Sequence, residues 1–152
     1  MVETNGRNFD LLTLGQVLLR LSPPDNERLS RGDTFVKQVG GAELNVAVGA
    51  ALLGLHTGVI SKLPAHDIGS FMKGKMRSFG VSDDFFRYDQ SPAARVGIYY
   101  YENGAYPRKP KVIYDRNHSS FFSLDIDEIP EEVYTASKCF HTTGITLALN
   151  ED

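Results

Sequence analysis

The sequence has few of the features that would place it in several large protein classes. It contains no tryptophan and one cysteine in 152 residues, so a framework of disulfide bonds within the chain is excluded. Its 16 Lys and Arg nearly balance 19 Asp and Glu, and no basic cluster predicts binding to nucleic acid or to an anionic membrane. No run approaches the roughly 18 apolar residues of a membrane span. These absences favour a cytoplasmic globular protein with one core.

Motifs of the common metal, nucleophile and phosphate sites are also missing. The four histidines show no ligand spacing such as H-E-x-x-H, so we expect no metal site. Neither a P-loop nor a G-x-G-x-x-G fingerprint occurs, and no serine lies in a nucleophile-elbow pattern. The single cysteine, Cys139, lies beside Phe140 in an apolar run, which predicts a buried thiol. Hydrolase, P-loop and dinucleotide chemistry are therefore disfavoured.

The order of apolar patterns predicts an α/β layer. Phe9 to Gly15 is typical of a buried strand, and the apolar positions of Ala42 to Leu55 recur at helical spacing. Because nearly every face of this second segment is small or apolar, we expect a helix covered on most sides. A strand follows at 57–61 and an amphipathic helix at 67–80, with Asp67 placed to cap it. The order strand, helix, strand, helix predicts a parallel sheet with helices packed over it.

A small β element interrupts this predicted layer. Three segments are predicted to be extended, namely 34–39, 95–101 and 111–116. Turn-forming residues are frequent on either side of them. The three segments belong to two stretches, near 17–39 and 95–116, which we expect to build the interrupting element. The chain then returns to the layer with a helix at 128–137 and a strand at 139–142.

Two adjacent glycines and an asparagine form the first candidate for a ligand site. Gly40 and Gly41 precede the apolar helix, and residues without side chains let a ligand approach the backbone and the positive end of a helix. Asn45 lies in the first helical turn, and its amide both donates and accepts, which suits paired sugar hydroxyls. A tight turn followed by a polar helix start is the simpler interpretation of this motif alone.

The predicted hairpin offers a second candidate, since side chains alternate between the two faces of a strand. The residues that share a face are Arg95, Gly97, Tyr99 and Tyr101 on one strand and Val112, Tyr114 and Arg116 on the return strand. Arg116 offers a planar fork of donors suited to a carboxylate, and tyrosine hydroxyls bind ligand oxygens at low entropic cost. A solvated ribbon with aromatic cross-strand pairs explains the same pattern when the hairpin is considered alone.

Five segments, taken in order, carry a resemblance to a known family. They are LLTLGQVLLRLSPP, GGAELNVAVGAALLGL, RVGIYYYENG, KVIYDRNHSS and FHTTGITLAL. In this order they resemble the N-terminal part of the ribokinase (PfkB) family of sugar kinases, most of all its 2-keto-3-deoxygluconate kinase branch. The resemblance implies a ribokinase-like, Rossmann-like α/β fold with a small β lid that closes over the sugar. Residues 1–152 are then expected to be the N-terminal portion of a single kinase domain.

The resemblance also implies a site and partners. The family's sugar contacts correspond to six residues of this chain: Gly40, Gly41, Asn45, Tyr99, Tyr114 and Arg116. In the keto-deoxy acid branch the arginine and the tyrosines lie near the substrate's carboxylate, which agrees with the chemistry expected of Arg116. The complete enzyme is expected to use ATP and Mg²⁺ and to form a homo-oligomer through the lid, with no nucleic-acid or membrane partner.

Three features depart from the family pattern. Gln16 stands where an acidic residue is common, which removes the charge at that position, and Leu147 stands where a proline is usual. The family's G-A-G-D motif, whose aspartate takes the proton from the sugar hydroxyl, and most of the ATP site belong to a C-terminal half that this chain does not reach. We therefore expect an incomplete sheet with exposed apolar edges and a chain that is inactive on its own.

The expected function is that of the sugar-binding portion of an ATP-dependent kinase acting on a small sugar acid. The leading substrate is 2-keto-3-deoxygluconate, and no catalytic residue is assigned to this chain. A fructokinase- or ribokinase-type substrate is the close alternative. A non-catalytic sugar-binding or dimerising protein is the alternative from another class.

Overall fold

A computed structural model describes residues 8–149, which form two β-sheets and four short helices. The strands are β1 Phe9–Leu14, β2 Leu18–Ser22, β3 Val36–Gly40, β4 Thr57–Pro64, β5 Val81–Ser82, β6 Phe86–Asp89, β7 Gly97–Glu102, β8 Lys111–Asp115 and β9 Ser137–His141. The helices are α1 Ala42–Leu52, α2 Asp67–Arg77, α3 Val133–Ala136 and α4 Gly144–Leu147, with 3₁₀ turns at Ser120–Ser123 and Ile126–Glu128. The architecture confirms the predicted α/β class.

The main sheet is parallel, in the order β5-β4-β1-β9, and β6 pairs with the later part of β4. Leu11 is in register with Thr57 of β4 and with Cys139 of β9. Parallel neighbours need a crossover connection, and α1 and α2 lie in the connections that begin and end on β4. The predicted order of strand, helix, strand and helix is therefore confirmed.

The second sheet has the order β3-β2-β7-β8 and is built from the two stretches that interrupt the layer. β2 runs antiparallel to β3 and parallel to β7, and β7 and β8 form an antiparallel hairpin. The hairpin register places Tyr99 opposite Tyr114. β3 ends at Gly40 rather than at the predicted Val39. The strand therefore leads directly into the turn before α1.

Apolar side chains pack against both faces of the inner strands of the main sheet. The larger cluster lies under α1 and α2 and reaches the second sheet; its fully buried members include Val17, Leu19, Leu44, Ala47, Val59, Leu63, Met72 and Met76. A smaller cluster joins Phe9, Leu12 and Ile60 to Val133 of α3. Full burial of one such aliphatic side chain contributes about 1.5–3 kcal/mol, so the two clusters hold the helices against the sheet.

The expectation that α1 is covered on most sides is wrong. Leu44 and Ala47 are buried, but Val46 is 41% exposed and Leu52 is 72% exposed. Only one face of this helix contacts the sheet, and no element within residues 8–149 covers the opposite face. The apolar composition of this helix therefore did not predict how many of its faces are buried in the described structure.

Cys139 is exposed rather than buried, which corrects the second burial prediction. β9 lies at the end of the strand order and pairs with β1 on one side. Side chains of an outer strand have fewer neighbours than those of an inner one, and Phe140 beside Cys139 is also 45% exposed. An apolar run indicated the strand correctly but not its place at the edge of the sheet.

Two helix boundaries also differ from prediction. His66 occupies the N-cap position of α2, and Asp67 is its first helical residue, where its charge still favours the helix dipole. The predicted helix at 128–137 is reduced to α3, because the Glu128 side chain accepts a 3.1 Å hydrogen bond from the Asp125 backbone and a 2.6 Å bond from Lys62. These bonds hold the preceding segment in a capped 3₁₀ turn.

Candidate functional site

The turn between β3 and α1 has a backbone conformation that only glycine adopts easily. Gly41 has φ of 140°, and a Cβ on this residue would lie 2.6 Å from the backbone oxygen of Gln16. A Cβ on Gly40 would lie 2.4 Å from the Tyr99 hydroxyl. The two glycines therefore let the start of α1 and the Tyr99 side chain approach the same stretch of backbone.

Tyr99 and Tyr114 form a cross-strand aromatic pair on the second sheet. Their ring centroids lie 6.0 Å apart, within the range of favourable aromatic contacts. Tyr99 is half-buried, and burial raises the pKa of its hydroxyl, while the charge of Arg20 opposes that shift. Tyr114 is 60% exposed. At neutral pH the Tyr99 hydroxyl is therefore protonated and can donate to a ligand oxygen. The Tyr114 hydroxyl offers a second polar group beside it.

Arg116 follows the end of β8 and lies beside this aromatic pair. The central carbon of its guanidinium is 5.7 Å from the centroid of the Tyr114 ring, close enough for a cation–π contact. Burial lowers the pKa of Arg116 below its usual value, and Tyr114 and Glu43 act in the opposite direction. The group stays cationic at neutral pH because arginine starts from so high a pKa.

Gln16 positions the Arg116 side chain through a hydrogen bond. Its side chain is 2% exposed, and its Oε1 accepts a 2.7 Å hydrogen bond from Arg116 Nε. Its Nε2 donates to Ser119 Oγ at 2.7 Å and to the Arg116 carbonyl at 3.2 Å. The residue that departs from the family pattern is therefore a direct neighbour of the predicted arginine.

Glu43 was not among the predicted site residues, although it is the one acidic residue of an otherwise uncharged helix. Its Oε1 accepts hydrogen bonds from the hydroxyls of Thr143 and Thr146, both at 2.6 Å, and from the Thr143 backbone at 3.1 Å. Burial raises the pKa of Glu43, but these hydrogen bonds outweigh it and leave the pKa below its ordinary value. The lone charge in an apolar helix was the signal that could have identified it.

A cavity of about 240 Å³ lies where these side chains meet, and its lining is mixed in polarity. It is lined by Gln16, Leu18, Gly41, Ala42, Glu43, Asn45, Tyr99, Tyr114, Arg116 and Ile145. Five of the six predicted residues thus line one space, and Gly40 lies beneath Tyr99 instead of on the wall. Concave sites with a few convergent polar groups are typical of small-molecule binding.

Arg95 does not join this group, contrary to the prediction from strand alternation. β7 begins at Gly97, so Arg95 precedes the strand, and its Nη2 donates to Asp115 Oδ1 at 2.8 Å. Asp115 follows Tyr114 and points to the other face of the hairpin, which draws Arg95 away from the cavity.

The described residues contain neither a cluster of metal ligands nor a membrane-spanning helix. Among residues 8–149, no three His, Cys, Asp or Glu side chains are grouped so that they could hold a metal ion. Within the same part of the chain, no helix is both long enough and apolar enough to cross a bilayer.

The fold is that of a ribokinase-like α/β protein, with a cavity beside its second sheet. The family described as pfkB family carbohydrate kinase matches residues 8–152. The chain belongs to this family, which confirms the resemblance found in the sequence.

Three proteins that match nearly the whole of this chain are named as kinases. The chain is 38% identical over 142 residues to a 2-dehydro-3-deoxygalactonokinase of Haloferax volcanii and 30% identical over 149 residues to a 5-dehydro-2-deoxygluconokinase of Bacillus cereus. These matches cover 93% and 97% of this chain but 44% of each relative. The crystal structure of a 2-dehydro-3-deoxygluconokinase from Thermotoga maritima has a TM-score of 0.88 and 38% identity, covering 94% of this chain and 43% of that one. The chain thus spans less than half the length of these relatives.

Proposed function

We propose that residues 1–152 form the N-terminal, sugar-binding portion of a single kinase domain that phosphorylates a small sugar acid, with 2-keto-3-deoxygluconate as the leading substrate. The second sheet, from the stretches near 17–39 and 95–116, acts as the lid over the sugar. The matched kinases named for keto-deoxy sugar acids support the substrate class.

The observation that carries the proposal is the convergence of Arg116, Tyr114 and Asn45 on one cavity. A guanidinium binds a carboxylate with two parallel hydrogen bonds, which a neutral sugar cannot match. The hydroxyls of Tyr99 and Tyr114 and the amide of Asn45 supply donors and acceptors for the polyol part of the ligand.

In the complete enzyme ATP supplies the phosphoryl group and Mg²⁺ neutralises its charge. The residues described at this site bind and orient the sugar, and no step of phosphoryl transfer is assigned to them. The chain alone is therefore expected to bind sugar without turnover, and the exposed lid sheet is the surface through which two copies would associate.

Calorimetric titration of the chain with 2-keto-3-deoxygluconate and with fructose tests the substrate class. We expect the acid to bind more tightly, and Arg116→Ala to weaken acid binding by roughly 10- to 100-fold, because a hydrogen bond to a charged group contributes about 1.5–3 kcal/mol. Arg31→Ala, at an exposed loop position, is the matched control and should bind as the wild type does. Equal binding of both sugars, with no effect of Arg116→Ala, would refute the acid proposal and favour a fructokinase- or ribokinase-type substrate.

A non-catalytic sugar-binding or dimerising protein is the second candidate, favoured because the polar side chains that line the cavity can bind a ligand without any phosphoryl transfer. The reading frame after residue 152 in the genome separates the two. A downstream segment that encodes G-A-G-D supports the kinase, whereas its absence in every frame supports the binding protein.

A further inference from the structure

The walls of the cavity come from the second sheet and its connections, from the start of α1 and from α4. Among the described residues, Ile145 is the one lining residue that follows β9. It lies in α4, a helix of 4 residues, and helices this short are unstable on their own. The position of the Ile145 wall therefore depends on the contacts that hold α4 in place.

Glu43, in the first turn of α1, supplies such contacts. Its Oε1 accepts hydrogen bonds from the hydroxyls of Thr143 and Thr146, both at 2.6 Å, and from the Thr143 backbone at 3.1 Å. Thr143 is the N-cap residue of α4, and Thr146 directly follows Ile145. Hydrogen bonds to a carboxylate are roughly twice as strong as neutral ones. These bonds therefore attach the chain on both sides of Ile145 to α1.

The Glu43 side chain is almost completely buried and passes over Gly15, which follows β1. A Cβ on Gly15 would lie 2.3 Å from both the carboxyl carbon and Oε2 of Glu43, so the glycine leaves the room that this side chain occupies. Thr142 Oγ1 donates at 3.0 Å to the Leu14 carbonyl and holds the start of the same segment against β1. A buried carboxylate is costly unless it is hydrogen-bonded. Since the start of α4 supplies hydrogen bonds to Glu43, the carboxylate and α4 fix each other's position.

We infer that Glu43 is a positioning residue of the sugar site, which holds Ile145 against the bound ligand through its hydrogen bonds to the start of α4. The inference rests on the proposed function and adds to it the residue that joins two walls of the cavity. Asn45 lies in the same turn of α1 as Glu43, so the link sets the separation of the polar Asn45 and the apolar Ile145. Without the link, α4 moves away from the cavity and the ligand loses its contact with Ile145.

The paired substitution Thr143→Val and Thr146→Val tests the link while the charge of Glu43 remains. Valine matches the shape of threonine but has no hydroxyl to donate. A substitution of Glu43 itself would also change the charge near Arg116, whose pKa is lowered by burial and raised by Glu43. Calorimetric titration of the paired variant with 2-keto-3-deoxygluconate should show a dissociation constant roughly 3- to 10-fold above that of the wild type.

Two controls separate positioning from a general loss of stability. Thr143→Ser with Thr146→Ser keeps both hydroxyls and should restore the affinity of the wild type. Thr135→Val removes an exposed hydroxyl that bonds to the Glu132 carbonyl and should leave the affinity unchanged. If Glu43 acted on stability alone, the paired valine variant would unfold at lower urea but bind the ligand as tightly as the wild type.

Ile145→Ala tests the other end of the link, and its side chain is 53% exposed, so the fold does not depend on it. It should weaken binding by roughly 3- to 10-fold through lost apolar contact. Combined with the paired valine substitution it should add little, because both changes remove the same contact. Full additivity of the two effects would overturn the inference.

The outcomes for the inference and for the proposed function are distinct. A wild-type chain that binds neither 2-keto-3-deoxygluconate nor fructose would refute the proposed function. A wild-type chain that binds, with a paired valine variant within about twofold of it, would overturn the inference and leave a sugar-binding function standing. If far-UV circular dichroism shows that the paired variant is unfolded, Thr146→Val and Thr146→Ser replace it, and equal affinities of these two would overturn the inference.

Discussion

Glu43 should contribute to stability through its charge, and Glu43→Gln isolates that contribution. The carboxylate is 2% exposed and receives three hydrogen bonds on one oxygen. A hydrogen bond to a charged group contributes about 1.5–3 kcal/mol against about 0.5–1.5 kcal/mol for a neutral one. Since Thr143 and Thr146 are only half-buried, water offsets part of this difference. We expect a loss of about 1–2 kcal/mol at neutral pH.

The pH dependence gives the prediction its sign. The pKa of Glu43 in the folded chain lies below the ordinary value of 4.5. The stabilisation is therefore present above pH 4.5 and is lost as the pH falls through the folded-state pKa. The glutamine variant lacks this contribution at every pH. The stabilities of the wild type and of Glu43→Gln should converge on acidification.

Urea denaturation followed by far-UV circular dichroism measures both effects, because the chain has no tryptophan for fluorescence. With an m-value of about 2 kcal/mol/M, the expected loss shifts the midpoint by roughly 0.5–1 M. Glu131→Gln is the control, since Glu131 is exposed. Equal midpoints for the two variants at neutral pH, or an unchanged gap between wild type and Glu43→Gln at acid pH, would refute the reasoning.

Three further predictions follow from individual contacts. Gly41→Ala should lower the free energy of unfolding in urea by about 2 kcal/mol, because Gly41 has a φ of 140°. Gly49→Ala should raise it by about 0.5–1 kcal/mol, because a Cβ on Gly49 meets nothing within 4 Å. Similar effects of the two substitutions would contradict the strained turn. An alkylating reagent should label Cys139 in the native chain, because the thiol is exposed; labelling only after denaturation would show burial. Glu102→Gln should lower the thermal midpoint by roughly 2–8 °C, because Glu102 is buried and its Oε1 lies 3.2 Å from Arg108 Nε. An unchanged midpoint would show that this ion pair contributes nothing.

The elements of the fold followed from local patterns, and their failures have local causes. Periodicity predicted the strand at Phe9 and the helix at Ala42 because each pattern reflects burial of one face or both. It overestimated the helix at 128–137, of which only Val133–Ala136 is α-helical. The Glu128 side chain bonds to Lys62, and Glu128 itself ends a 3₁₀ turn. Periodicity also failed for the burial of Cys139, since composition cannot show whether a strand lies inside a sheet or at its edge.

The candidate site was also predicted only in part from the sequence. Tyr99 and Tyr114 share a face because alternation along a hairpin is a local property, and the register confirms that they are opposite each other. Gln16 and Glu43 were not predicted as members of the site, because each bonds to partners about 100 residues away along the chain. No local pattern encodes contacts of that separation.

The amino-acid sequence by itself determined the α/β class, the interrupting β element, the family, and the residue types that could recognise a sugar acid, because these depend on periodicity, turn chemistry and ordered motifs. Only the tertiary structure decided that the glycine turn, the hairpin tyrosines and Arg116 share a cavity, and that Gln16 and Glu43 complete it. The physical reason is that the packing of one sheet against another sets distances between segments remote in the chain, and local propensity does not carry that information.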